Sequence, residues 1–309
     1  MKRKNFERIL FLPILLFCLD GAARDRTTRI GADDPRIQYQ GRIGRANGGV
    51  AEIYWPGSSA KIKFRGTGLK AVLRDEKGYN YFNVIIDDSP VTAIRLDTTE
   101  KTYVLASGLP EGTHTIELSK RADWFRGKTW FYGFETDEGA QLFRLPEKKE
   151  TIEFYGNSIT VGAAVEDYHG DSGDSTMTNN YRSYASITAR HFKANYSCIA
   201  SSGIGLMLSW GSLIMPEIYD RLNPDDSLSK WDFSRAKADI VVINLFQNDC
   251  ALVNLPDHPQ FKRRFGDRAP SQDFIINAYR KFVTDIRRHY PEAAIICVLG
   301  SMDAVKAGS

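Results

Sequence analysis

The chain has 309 residues, more than one hydrophobic core usually organises, since single cores rarely grow much past ~250 residues. Apolar residues make up 42% and charged residues 26%, which excludes a disordered chain and fits a globular one. With 41 basic against 38 acidic residues the net charge is only +3. No basic stripe with interleaved aromatics stands out, so nucleic acid is not an expected partner.

Residues 1–23 read as an export signal. Lys2, Arg3 and Lys4 form a positive head, Ile9 to Leu19 an apolar run, and Gly21-Ala22-Ala23 a small-residue cleavage site. The run is too short to cross a bilayer, which takes roughly 20 residues. The expectation is an exported protein, periplasmic or extracellular, with no stable membrane insertion. Cys18 follows the bulky Phe17, which does not suit lipid attachment. The remaining Cys198, Cys250 and Cys297 are odd in number, lack C-x-x-C spacing, and are expected to be buried free thiols.

Arg24 to Pro35 is polar and reads as a loose leader. From 36 to 145 short alternating runs are separated by Gly/Pro turns: Ala51–Trp55, Ala60–Arg65, Tyr81–Ile86, Thr102–Ala106, His114–Ser119 and Trp130–Phe134. This pattern predicts an antiparallel β-sandwich of the jelly-roll kind. Asp87 and Asp88, ahead of Ser-Pro, read as turn formers, and His114 as a structural strand residue. Trp124, Phe125, Trp130, Phe131 and Tyr132 form a dense aromatic group, either a sugar platform or packing at the core and domain interface. Leu145 to Glu150 is a charged, proline-led linker and the expected domain boundary.

From 150 to 309 the grammar becomes strand, loop, helix. Strands are predicted at Thr151–Tyr155, Ala194–Ala200, Ala238–Leu245 and Ala293–Leu299. Helices are predicted at Tyr181–Phe192, with Tyr184, Ile187, Thr188 and His191 recurring, and at Ser271–Tyr290. The latter carries Ser271 as cap and Phe274, Ala278, Phe282 and Ile286 on one face. Continuous apolar strands alternating with helices predict a parallel sheet covered on both faces, with ligands beyond the carboxyl ends of the strands.

Three strand ends carry reactive or hydrogen-bonding groups: Ser158 after the first, Gly203 after the second, and Asn248 in Phe246-Gln247-Asn248-Asp249 after the third. A serine at the first turn of a helix has an exposed hydroxyl and neighbouring N–H groups without helical partners. The Gly203 N–H and the Asn248 carboxamide could join it around an oxyanion. Taken separately, Ser158 and Asn248 are also ordinary caps and Gly203 an ordinary turn.

These blocks resemble those of the SGNH/GDSL-type hydrolases, and most closely carbohydrate esterase family two, which joins a jelly-roll domain to an SGNH domain. Gly156-Asn157-Ser158-Ile159-Thr160 resembles the serine block, Ser202-Gly203-Ile204-Gly205 the glycine block, and Asn244-Leu245-Phe246-Gln247-Asn248-Asp249 the asparagine block. Phe246 stands where glycine is more usual. Met215–Asp220 and Lys230–Phe233 also look like this family. The likeness covers Arg36 to the last residue. It implies a serine esterase that removes O-acetyl groups from xylan or glucomannan. Ser158 would be the nucleophile, Gly203 and Asn248 the oxyanion donors, and an acetylated polysaccharide or oligosaccharide the partner. It implies no metal or organic cofactor. Trp210 is a candidate for stacking on a sugar ring, its alternative being a packed core indole. Other readings are an SGNH esterase acting on lipid, peptidoglycan or another acylated glycan, or a carbohydrate-binding protein with an inactive hydrolase domain.

A serine hydroxyl needs a base. The resemblance implies a histidine near the C-terminus, and none follows Ala293. The C-terminal domain is therefore expected to be truncated, its base beyond residue 309, and the chain as written nearly inert. Among the present histidines, His258 in Asp257-His258-Pro259 is the candidate substitute. His169 reads as a solvent-exposed loop residue, His191 as a helix-face residue, and His289 as a charge suited to a helix C-terminus.

Overall fold

The structure, a computed structural model, describes residues 27–300 apart from 171 and 236. The export-signal reading of residues 1–23 lies outside the described residues. The first part of the chain forms β1 (Thr27–Gly31), β2 (Gln38–Gln40), β3 (Ile43–Arg45), β4 (Ala51–Ile53), β5 (Ser59–Arg65), β6 (Leu69–Asp75), β7 (Tyr81–Ile86), β8 (Ser89–Arg95), β9 (Lys101–Ala106), β10 (Thr113–Lys120), β11 (Thr129–Asp137) and β12 (Gln141–Phe143). They pair antiparallel in two sheets, β3-β4-β11-β6-β9 with β1 also on β11, and β12-β5-β10-β7-β8 with β2 also on β5. Alternation sets the inner faces. Ala60, Ile62 and Phe64 of β5 and Ile116 and Leu118 of β10 bury against Leu69, Ala71, Leu73, Phe131 and Phe134 of the other sheet. Asp87 and Asp88, with φ of 48° and 63°, make the two-residue turn between β7 and β8 that the strands' right-handed twist favours.

The loop of residues 144–150 leads into β13 (Thr151–Gly156), α1 (Ser158–Val161), α2 (Tyr184–His191), β14 (Asn195–Ala200), α3 (Met215–Ile218), β15 (Ile240–Asn244), α4 (Gln247–Val253), α5 (Pro259–Phe265), α6 (Gln272–His289) and β16 (Ala294–Val298). The four strands are parallel in the order β14-β13-β15-β16. Their side chains alternate between two cores: Tyr155, Val241 and Ile243 pack with Phe282 and Ile286 of α6, whereas Ile152, Phe154 and Val242 pack with Ala185 and Ala189 of α2. No helix among the described residues is long and apolar enough to cross a membrane.

The sandwich and the α/β layer are interlocked. Tyr54 and Trp55 leave the end of β4 to join the α6-side core, and the Trp55 indole donates to the Leu222 carbonyl at 3.0 Å. Arg42, fully buried, donates to the carbonyls of Tyr219 (2.6 Å) and Arg221 (3.0 Å) and to Glu153 Oε1 (3.2 Å). The Glu153 carboxylate also accepts from Tyr155, Ser197 and Tyr290 hydroxyls.

Several sequence expectations are corrected. Thr27–Gly31 is not a loose leader but a strand on β11. Only Ile30 of that segment buries its side chain, which leaves no alternation to read. β6 and β8 have no counterpart in the sequence reading: Ala71-Val72-Leu73 breaks the period of two, and β8 is exposed along most of its length. The predicted strand to Trp55 stops at Ile53 because the next residues turn into the neighbouring core. The helix predicted from Tyr181 starts at Tyr184, with Ser183 as its cap, and buries Ala185, Ser186 and Ala189. Ile187 and His191 face outward, small residues being what the close approach to β14 admits. Phe274 of α6 is half exposed, its ring meeting Phe265 edge-on at 5.4 Å. Cys198 and Cys250 are buried, but Cys297 is exposed. It lies on β16, an edge strand among the described residues, whose side chains are largely open there.

Candidate active site

Register brings the three strand ends together. Gly156, the last residue of β13, is paired on one side with Ala200 of β14 and on the other with Asn244 of β15. Ser158, Gly203 and Asn248 follow these residues within a few positions, so their loops leave the same carboxyl rim of the sheet.

At the serine block Gly156 is demanded by close approach: a Cβ there would lie 1.9 Å from Thr160 Oγ1 and 2.4 Å from Thr160 Cβ. Asn157, fully buried, caps α1, its Oδ1 accepting from the Ile159 N–H at 3.0 Å while its carbonyl accepts from Thr160 N–H. With those two donors engaged, the Ser158 N–H is the donor at the helix start without an intrahelical partner. Ser158 itself is half-buried. Asn157 Nδ2 donates to Gln247 Oε1 at 2.7 Å, and Gln247 Nε2 donates to Asn244 Oδ1 at 2.6 Å and to the Gly300 carbonyl at 3.1 Å. This buried amide chain ties the serine block to the asparagine block.

Gly203 adopts a left-handed φ of 78°, which glycine accepts without a side-chain clash. Its carbonyl accepts from Trp210 N–H at 2.9 Å, and the preceding Ser202 is held by Asp123 of the sandwich, whose Oδ1 accepts from Ser202 N–H (2.7 Å) and Oδ2 from Ser202 Oγ (2.9 Å). Asn248, almost fully buried, donates from Nδ2 to the Ile204 carbonyl at 2.8 Å and accepts on Oδ1 from Trp210 Nε1 at 3.1 Å. A carboxamide nitrogen carries two hydrogens, and the Ile204 bond uses one of them. Asp249, also buried, accepts from the N–H groups of Leu206, Met207 and Leu208 at 2.9, 2.6 and 2.8 Å. Burial pushes the Asp249 carboxyl above its ordinary value, against the pull of those donors. Phe246, where glycine is more usual in the resembled pattern, is held at φ of 98°, a strained setting for a side chain with a Cβ.

Trp210 is not a packed core indole: half of its surface is exposed, and it touches both the asparagine and the glycine blocks. Its ring also meets His258 edge-on at 5.3 Å. His258 caps α5, its Nδ1 accepting from Gln260 N–H at 3.3 Å. His114 bridges Asp87 Oδ2 (2.7 Å) and the Pro110 carbonyl (2.8 Å), as befits a structural strand residue. His289 is the last residue of α6, as expected. It stacks on Phe233 at 3.8 Å, and burial lowers its pKa. In the aromatic group Phe131 is core, and Trp124 packs against the α6-side core. The residues that the sequence reading passed over are Asp123, Asn157 and Gln247. The two amides lie inside the recognised blocks and were readable as partners across the rim, whereas nothing local marks Asp123.

A sandwich joined to a parallel sheet with serine, glycine and asparagine loops on one rim defines an SGNH-type hydrolase. The profile described as carbohydrate esterase 2 N-terminal matches residues 39–146. The chain belongs to carbohydrate esterase family two. It is 34% identical over 276 residues to the cellulase/esterase CelE of Acetivibrio thermocellus, covering 87% of this chain but only 32% of that protein. It is 30% identical to an acetylxylan esterase / glucomannan deacetylase of Cellvibrio japonicus, covering 81% of this chain and 69% of that protein. Among solved structures it is similar to a family two carbohydrate esterase from Clostridium thermocellum in complex with cellohexaose, with TM-score 0.74, 33% identity, and coverage of 86% of this chain and 78% of that one.

Proposed function

We propose that this protein removes O-acetyl groups from plant cell-wall polysaccharides, xylan or glucomannan, with Ser158 as nucleophile. The observation that carries the reading is the common rim of the serine, glycine and asparagine loops, in a chain similar to acetylxylan esterase / glucomannan deacetylases. Ser158 Oγ attacks the acetyl carbonyl as its proton passes to a base. The N–H groups of Ser158 and Gly203 and the second Asn248 N–H hold the oxyanion. The C–O bond to the sugar breaks, the sugar oxygen takes the proton, and water then releases acetate from the acyl-serine. His114 and His289 are engaged away from the rim, and His258 is committed to capping, so the proposal gives the base role to none of them. An export signal over residues 1–23 belongs to the same reading.

Acetate release from acetylated xylan and glucomannan by the full-length protein, with Ser158→Ala beside it, tests the reading. Release that Ser158→Ala abolishes supports it; absence of release, or release that Ser158→Ala leaves intact, refutes it. The half-exposed Trp210 indole favours a second reading, glycan binding along the same rim, in keeping with the cellohexaose bound by the similar Clostridium thermocellum protein. Retention on unacetylated glucan that Trp210→Ala abolishes would distinguish it.

A further inference from the structure

The glycine loop has a support that belongs to the other domain. Asp123 is buried, and both carboxylate oxygens are aimed at one residue, Ser202, taking its N–H at 2.7 Å and its hydroxyl at 2.9 Å. Ser202 immediately precedes Gly203, the residue with the left-handed backbone and no side chain to anchor it. Glycine is the most freely moving of residues, and an oxyanion donor contributes fully only when it is oriented before the reaction. Trp210 N–H donates to the Gly203 carbonyl at 2.9 Å. Asp123 is itself delivered by a clamped loop: Lys120 Nζ (2.7 Å) and Asn80 Nδ2 (2.9 Å) both donate to the Gly127 carbonyl, and Gly127 N–H donates to the Trp124 carbonyl at 3.0 Å.

We propose that Asp123 of the sandwich is a positioning residue for the oxyanion donor at Gly203, so that the sandwich completes the hydrolytic site. This rests on the esterase reading above. A carboxyl group that receives two bonds from one residue fixes both that residue's place and its orientation; burial raises the Asp123 pKa, against the pull of the two Ser202 donors. The test is steady-state kinetics of the full-length protein on an acetylated xylo-oligosaccharide. Asp123→Ala, Ser202→Ala, their double variant and Ser158→Ala are compared, with unfolding midpoints measured for each. For Asp123→Ala, which removes both acceptors, the expected loss in kcat is about tenfold or more with KM within about twofold, because the donor acts on the transition state and not on bound substrate. Ser202→Ala, which keeps the N–H bond, loses about three- to fivefold, and the double variant is no worse than Asp123→Ala within about twofold, because one linkage is being cut twice. A kcat for Asp123→Ala within about twofold of wild type, a loss carried by KM, or losses that multiply in the double variant overturn the proposal. If Asp123→Ala does not fold, Ser202→Ala decides alone by the same kcat-against-KM criterion. An active Ser158→Ala refutes the esterase reading instead, so the two failures are told apart.

Discussion

Removing the charge of Glu153 while keeping its shape, by Glu153→Gln, strikes the interlock between the two layers. The carboxylate is buried and accepts from Arg42, Tyr155, Ser197 and Tyr290, and the fully buried Arg42 guanidinium has no other anion among its described hydrogen-bond partners. Breaking a buried pair from one side costs about 3–5 kcal/mol. The lower end applies here, since Arg42 keeps two carbonyl acceptors and lies over the Trp231 and Phe233 rings at 5.4 and 5.1 Å. Arg42→Met leaves the carboxylate three hydroxyl donors, so a loss of about 3 kcal/mol is expected there as well. Both changes delete the same pairing, and the double variant should fall short of the sum of the singles by about 1.5–3 kcal/mol. Urea unfolding followed by tryptophan fluorescence measures all three. A Glu153→Gln loss below about 1 kcal/mol, the level of an exposed ion pair, or strict additivity, would refute the argument.

Asn248→Ala should lower kcat by about 10²–10³, the equivalent of about 2.7–4 kcal/mol, with little change in KM; a loss below about tenfold removes it from the donor set. Gly156→Ala should destabilise by about 1–3 kcal/mol, because the new Cβ meets Thr160 Cβ and not merely the tip of its side chain; thermal unfolding checks it, and a neutral result refutes the close-packing account. His258→Asn should leave kcat within about threefold of wild type, whereas loss of a true base lowers turnover on the order of 10⁶-fold. Burial pushes the Lys120 ammonium from 10.5 down to about 7. The fold therefore disfavours its charged form, a penalty complete below about pH 7 and relieved as pH rises toward the ordinary lysine range. Wild type should accordingly gain stability relative to Lys120→Met by up to about 1.4 kcal/mol per pH unit above about pH 7; a flat difference refutes the depressed pKa.

The architecture was legible because its signals are local. Period-two alternation between Gly/Pro turns marks β5 and β10, and apolar runs alternating with helices mark β13 to β16. The serine, glycine and asparagine blocks sit at strand ends, so a parallel sheet with neighbouring strands was enough to bring their loops to one rim. Where local signal was weak or misleading, the reading failed: β1 offers one buried side chain, and α2 packs through alanines while its more apolar Ile187 faces out. Long-range partners carry no such mark. Asp123 and Ser202 are separated by 79 positions and Arg42 and Glu153 by 111. The sequence alone therefore determined which groups this protein brings to its rim. Tertiary structure decided what holds them there, because a buried carboxylate finds its donors through the packing of two domains and not through any spacing along the chain.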